Sequence, residues 1–279
     1  TNTWLQLTNA SMDTGQYPKA HLLPTGEIFS TKVAGGRTMR FHVQTQTWTH
    51  VAWAPVGFTS VQYEPGKFMY AGKGTITSTI NMNLTKPYWA NRAAMAYPRH
   101  NQSMVVLPDG QVLAIGGSSD GTNNPATAPL MPELWNPVSM TWRQLTPMSD
   151  PSMYHSIGIL LPDGRVLSAG GVHSTDSVAD YFTAQIYSPP YLFKGARPTI
   201  TYAPSSLNYG STINVQTPDA SSISKVAFIR LPSFTHAYDM NQVYIPATFT
   251  KGTSSLQVQV PSNNNMMAPG DYMMFIINS

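Results

Sequence analysis

A short turn motif recurs along this chain and restricts it to a repetitive β architecture. Leu23-Pro24-Thr25-Gly26 leads into Glu27-Ile28-Phe29, Leu107-Pro108-Asp109-Gly110 into Gln111-Val112-Leu113, and Leu161-Pro162-Asp163-Gly164 into Arg165-Val166-Leu167. A weaker copy runs from Glu64 through Pro65 and Gly66 to Tyr70. The turn glycines at 26, 66, 110 and 164 are spaced 40, 44 and 54 residues apart. Apolar runs flank each turn. Proline presets φ and glycine accepts a positive φ, so each unit reads as a hairpin.

Double glycines follow at 35–36, 116–117 and 170–171, and a Thr-Trp strand closes the unit at Thr47-Trp48 and Thr141-Trp142. Turn, strand, double glycine and tryptophan strand at this period describe blades of a kelch-type β-propeller. A β-sandwich with recurrent hairpins is the competing architecture, but the preserved order of glycines and tryptophans favours the propeller. About four blades fit into residues 1–192. Kelch propellers close with six or seven, and an open arc would expose sheet faces. We therefore expect about four blades of seven, with the rest supplied by an N-terminal segment or a partner chain.

The pattern changes after Ser188-Pro189-Pro190-Tyr191-Leu192. Residues 193–279 hold short strands without a helix signal, such as Thr212–Val215, Lys225–Ile229, Leu256–Val260 and Tyr272–Ile277. This predicts a small immunoglobulin-like sandwich. Charged residues make up only 10% of the chain and the net charge is +3 without a basic run, so nucleic acid is not an expected partner. No apolar run reaches 18 residues, so no membrane span is expected. The absence of cysteine excludes a thiolate metal site within the chain.

Tyr154 and His155 head the run Ser156-Ile157-Gly158-Ile159-Leu160 before the fourth turn motif, at Leu161–Gly164. A phenol and an imidazole suit Cu(II) better than Ca²⁺ or Mg²⁺. Neighbours in a strand point to opposite faces, so both can reach one metal only where the strand is irregular. Pro151-Ser152 makes such a start plausible. His236 would join them from a loop of the second domain. Each residue alone is equally compatible with packing. His100 stands 54 positions before Tyr154, as Gly110 stands before Gly164. It reads as a polar blade start, with an axial funnel as the alternative. His173 could line the same rim, and Asp239 could orient the loop that carries His236.

From Met95 to Ser279 the chain resembles the galactose oxidase and glyoxal oxidase family of copper-radical oxidases. Three stretches carry the resemblance. They are Tyr154-His155-Ser156 with Leu161–Val166; Ala184–Leu192 with Arg197-Pro198; and Thr235-His236 with Asp239, Gln242 and Ile245-Pro246, followed by Ala268–Phe275. The resemblance implies that Tyr154, His155 and His236 bind Cu(II) and that Tyr154 is the catalytic base. In that family a second tyrosine, crosslinked to cysteine, stores the other electron. In that family both of these residues lie more than 200 positions before the Tyr-His pair. Here 153 residues precede Tyr154 and none is cysteine, so a Tyr-Cys thioether radical is expected only if sequence outside this chain supplies it, and no position argues for a substitute tyrosine. The implied function is the C-terminal part of an extracellular oxidase that turns an alcohol, aldehyde or carbohydrate and O2 into the oxidised product and H2O2. A non-catalytic extracellular protein that binds glycan or builds a surface assembly is the alternative.

Overall fold

The computed structural model describes residues 3–171 and 181–279. Among them are 23 strands and only single-turn 3-10 segments, with no α-helix. The first sheet contains β1 (Ala20–Leu22), β2 (Ile28–Val33), β3 (Arg37–His42) and β4 (Thr47–Trp53). The second contains β5 (Thr59–Glu64), β6 (Lys67–Ala71), β7 (Thr77–Asn81) and β8 (Trp89–Asn91). The third contains β9 (Ser103–Val106), β10 (Val112–Ile115), β11 (Glu133–Asn136) and β12 (Thr141–Gln144). The fourth has three strands, β13 (Ile157–Leu160), β14 (Val166–Ala169) and β15 (Ala184–Tyr187). All four are antiparallel meanders in chain order, as blades are.

The turn motif folds as its composition dictates. In the third and fourth blades the glycine N–H donates to the leucine carbonyl three residues earlier, at 2.9 Å. Asp109 and Asp163 each accept the backbone N–H two residues on, at 3.0 Å. These two aspartates are turn residues. The weaker copy at Gly66 also builds a complete four-stranded blade. The double glycine serves a close approach. A Cβ on Gly116 would run into the Ser152 carbonyl, and Gly117 N–H donates to that same oxygen at 2.7 Å. The double glycine therefore lets the chain leading into the next blade pass against it.

Tryptophans stitch the blades together. Trp89 Nε1 of the second donates to Thr38 Oγ1 of the first at 2.8 Å. Trp142 Nε1 of the third donates to Thr77 Oγ1 of the second at 3.0 Å. A continuous apolar core runs through blades two to four, with Met69, Leu107, Leu113, Trp135 and Leu160 all buried.

The remaining strands are β16 (Thr212–Gln216), β17 (Ile223–Arg230), β18 (Phe234–Thr235), β19 (Tyr238–Asp239), β20 (Tyr244–Ala247), β21 (Phe249–Lys251), β22 (Ser255–Gln259) and β23 (Tyr272–Asn278). Sheets β16-β22-β21 and β20-β17-β23 form the expected sandwich. Val226 and Phe228 of β17 face its interior, while Ala227 and Ile229 join the propeller core. Burial on both faces explains why this strand reads as an unbroken apolar run rather than an alternation.

Candidate functional site: a tyrosine and histidine cluster on the propeller axis

The hairpin β18–β19 leaves the sandwich and runs between the innermost strands of the blades. Strand β18 lies against β13, and β19 lies against β5 and β9. Polar contacts hold it there. Thr59 Oγ1 donates to the Ala237 carbonyl at 2.5 Å, and Tyr238 Oη donates to the Ala20 carbonyl at 2.7 Å. Gln242 closes the base by accepting from Val106 N–H at 2.5 Å and donating to the Met104 carbonyl at 2.8 Å. Buried Asp239 accepts from Ser233 N–H and Asn241 N–H at 2.9 and 3.0 Å. Burial pushes its carboxyl above the usual carboxylate range, against the pull of the backbone N–H groups of Ser233, Asn241 and Gln242. Its bonds tie the hairpin's backbone together, whereas the His236 ring is held by Thr235 Oγ1, 2.6 Å from Nδ1.

His21 sits under the hairpin, buried, with Nε2 bonded to Ser60 Oγ at 2.8 Å and Nδ1 3.4 Å from Tyr238 Oη. Burial, and then the Lys19 charge, lower its pKa to about 3. In the unfolded chain it titrates near 6.5. The folded protein therefore gains stability from neutral His21 above pH 6.5 and loses it as pH falls towards 3. Between pH 7 and pH 5 the expected loss is about 2 kcal/mol. Urea unfolding of wild type and His21→Gln at both pH values checks this: equal losses in the two proteins would sink the assignment.

At the hairpin tip stand His236 and Ala237, with φ of 48° and 61°. Two successive positive φ values make the tight hairpin loop that Asn-Gly usually provides. The tip brings His236 to Tyr154 and His155. The ring centroids lie 5.1 Å apart for His155 and His236, and 6.0 Å apart for Tyr154 and His236. Tyr154 and His155 stack on each other at 3.8 Å within a turn closed by Ser156 N–H donating to the Met153 carbonyl. His155 has φ of 64°, so the head of β13 is irregular, as two neighbours sharing one ligand would require.

A fourth aromatic residue completes the cluster. The sequence alone singles out no second tyrosine, yet Tyr17 stacks on His236 at 4.3 Å, and its hydroxyl lies 3.1 Å from the Tyr154 hydroxyl. Tyr17 also has a left-handed backbone, with φ of 51°. Its signal lies in the repeat. Tyr17, Asn101 and His155 each stand nine residues before their turn glycine, and all three have positive φ. Side chains at this register project from the head of a blade's innermost strand. Such conformations cost about 1–3 kcal/mol each for a residue with a Cβ, and they concentrate at functional sites.

His100 lies elsewhere on the rim. It lines an open cleft of about 590 Å³ that Tyr17 also borders. His173 falls outside the described residues. Among the described residues there is no cluster of three or more His, Cys, Asp or Glu, so the donors here are two phenols and two imidazoles. Two ligand atoms at right angles, each about 2 Å from one metal, lie about 3 Å apart. The spacing of the two phenol oxygens fits that figure. With Nδ1 of His236 occupied by Thr235, its Nε2 is the nitrogen left for a metal. The hydrogen bond from Tyr17, then partial burial, then the Tyr17 charge push the Tyr154 phenol up to about 12. A metal at this point competes with that proton.

Residues 59–191 match the glyoxal oxidase N-terminus family, and residues 197–279 match the galactose oxidase-like early set domain. The chain belongs to the galactose oxidase and glyoxal oxidase family. A galactose oxidase of Gibberella zeae is 38% identical over 191 residues, covering 66% of this chain and 28% of that protein. The aldehyde oxidase GLOX1 of Arabidopsis thaliana is 29% identical over 226 residues, covering 71% of this chain and 36% of that protein. The chain thus spans well under half the length of these two relatives. A fungal alcohol oxidase solved in complex with copper shares the fold, with a TM-score of 0.77 at 22% identity over 94% of this chain and 73% of that one. Among the described residues, no helix is long and apolar enough to cross a membrane.

Proposed function

We propose that this chain is part of an extracellular copper-dependent oxidase that converts an alcohol or aldehyde to the next oxidation level and reduces O2 to H2O2. The observation that carries this is the convergence of Tyr17, Tyr154, His155 and His236 from three separate segments, three of the four in a left-handed backbone. Tyr154, His155, His236 and Tyr17 would hold Cu(II). The bound ion would supply a one-electron acceptor and a Lewis acid. Tyr154 Oη would take the substrate hydroxyl proton. Tyr17, with its hydroxyl 3.1 Å from that of Tyr154, would be this chain's candidate for a redox-active tyrosine, although it stands only 137 positions before Tyr154. Asp239 fixes the hairpin so that His236 keeps its position, and His100 stands on the wall of the neighbouring cleft.

The same reading divides the chain into propeller blades at 1–192 and a sandwich at 193–279, in line with family matches that end at 191 and resume at 197. Further blades fit it too. Among the described residues the fourth blade's sheet has three strands where those of the first three have four. Thr3-Trp4-Leu5-Gln6-Leu7-Thr8 repeats the pattern of Thr141-Trp142-Arg143-Gln144-Leu145-Thr146, which contains the outermost strand β12, yet Trp4 and Leu5 are exposed. A strand of that type needs a sheet that the described residues do not provide.

A non-catalytic reading is favoured by one fact: the chain has no cysteine, so no tyrosine–cysteine thioether can form within it. Copper content together with H2O2 production from simple alcohols and aldehydes separates the two. One copper per chain with peroxide release is the expected result. Copper without peroxide would favour a binding protein, and a protein that takes up no copper overturns the oxidase.

A further inference from the structure

The cleft beside Tyr17 carries a charge pattern that the copper cluster does not explain. Lys19, Lys32 and Lys73 line it together with His100, and no aspartate or glutamate is among its lining residues. Lys19 is the unusual member. Its side chain is buried, at 7% exposure, and it forms no ion pair among the described residues. Its ammonium donates to the Tyr17 carbonyl at 3.1 Å and lies 5.2 Å from the Phe58 ring centre. The Tyr238 ring centre lies 5.9 Å away. One carbonyl and two ring faces still leave the ammonium without a carboxylate, and burying a charge in that state is unfavourable unless something else completes it. Asp13 is engaged with the Gly15 N–H and Asp120 with Thr122, and neither lines the cleft.

Lys73 faces the same space from a different blade. It sits between Gly72 and Gly74, and all three residues have positive φ, so this loop replaces the double glycine of the other blades and puts a cation at the equivalent place. Three cations without a counter-charge in a concave site focus a positive potential there. Phe58 adds an apolar face of the kind that sugar-sized rings pack against.

We propose that this cleft binds the carboxylate of a monosaccharide-sized hydroxy or aldehydic acid, which makes an anionic compound the substrate class of the neighbouring cluster. The carboxylate meets Lys19 and Lys73, and the carbon chain lies over Phe58 towards Tyr17. The substrate assignment rests on the oxidase reading, but the binding site does not, because none of the three lysines is placed as a metal ligand.

The test is a calorimetric titration of the intact protein, with and without copper, at low salt. The probes are D-glucuronate and its neutral counterpart D-glucuronamide. Glucuronate is expected to bind at least tenfold more tightly, and Lys73→Gln and Lys19→Gln are each expected to remove most of that preference. Lys73 is exposed, so its variant keeps the test valid if Lys19→Gln fails to fold. Equal binding of the two probes, binding of neither, or a preference that survives in Lys73→Gln overturns the proposal. Equally tight binding of inorganic phosphate overturns it as well, by reducing the site to a general anion trap. Copper content of the same samples is read separately. A protein that prefers glucuronate but takes no copper loses the oxidase reading and keeps this site, while one that binds copper with no acid preference does the reverse.

Discussion

Exchanging either cluster histidine for asparagine, His155→Asn or His236→Asn, is expected to weaken copper binding by at least ~100-fold while leaving thermal stability unchanged or slightly raised. The two effects have separate causes. Removing the imidazole deletes a metal donor, and changes confined to a ligand's outer partners already cost about 10- to 100-fold. Stability moves the other way because both positions have positive φ, 64° and 48°, a region that asparagine tolerates better than histidine. The repeat itself supplies the precedent: the equivalent position of the third blade is Asn101, with φ of 59°. Isothermal titration with Cu(II) and a thermal melt on the same samples check both parts. A variant that keeps full copper affinity would remove its histidine from the proposed ligand set. A drop of several degrees in Tm would show that the histidine serves the fold. Tyr17→Phe should weaken copper binding as well, because it takes away one of two phenol oxygens 3.1 Å apart.

The second large effect lies in the fold. Arg99 and Glu133 form an ion pair whose side chains are 0% and 1% exposed, with Nε and Nη2 3.2 and 3.1 Å from Glu133 Oε2. Arg99 also donates to the Gly116 carbonyl at 2.8 Å and to the Met131 carbonyl, and Glu133 accepts from Ala96 N–H at 2.6 Å. The pair joins β11 to the segment that leads into β9. Glu133→Gln leaves the guanidinium buried without its counter-charge and should cost about 3–5 kcal/mol in urea unfolding. Arg99→Met should cost a similar amount. The double replacement Arg99→Met with Glu133→Leu should recover part of the loss, since an apolar pair leaves no charge stranded. Costs that simply add would mean that the two residues act independently.

Much of the fold was legible because its signals are local. The hairpin at Gly110 depends on Pro108, Asp109 and the glycine's own backbone freedom, and its apolar flanks state which residues enter the core. Even the weak copy at Gly66 was sufficient to build a blade. Part of the candidate site was also legible. Tyr154-His155 lies next to a strong turn signal, and His236 falls between two clear strands, β17 and β20.

Tyr17 was not legible in that way. It has no partner nearby in sequence, and it lies 137 positions from the hydroxyl it meets. Its register, nine residues before Gly26, was available, but nothing in the chain states that this position in different blades points to a common axis. The cleft was equally hidden. Lys19, Lys32 and Lys73 look like ordinary solvated cations until the first two blades bring them around one cleft.

The blades and the sandwich follow from local signals, because turn chemistry and strand alternation act over a few residues at a time, and three of the four cluster residues stand beside such signals. Packing of the sheets alone sets β18–β19 between the innermost strands, closes the cluster with Tyr17 beside Tyr154, and leaves a buried Lys19 on a cleft lined by no acid. Those facts depend on where rigid sheets pack against one another, and that packing is the sum of many weak apolar contacts that no short stretch of sequence encodes.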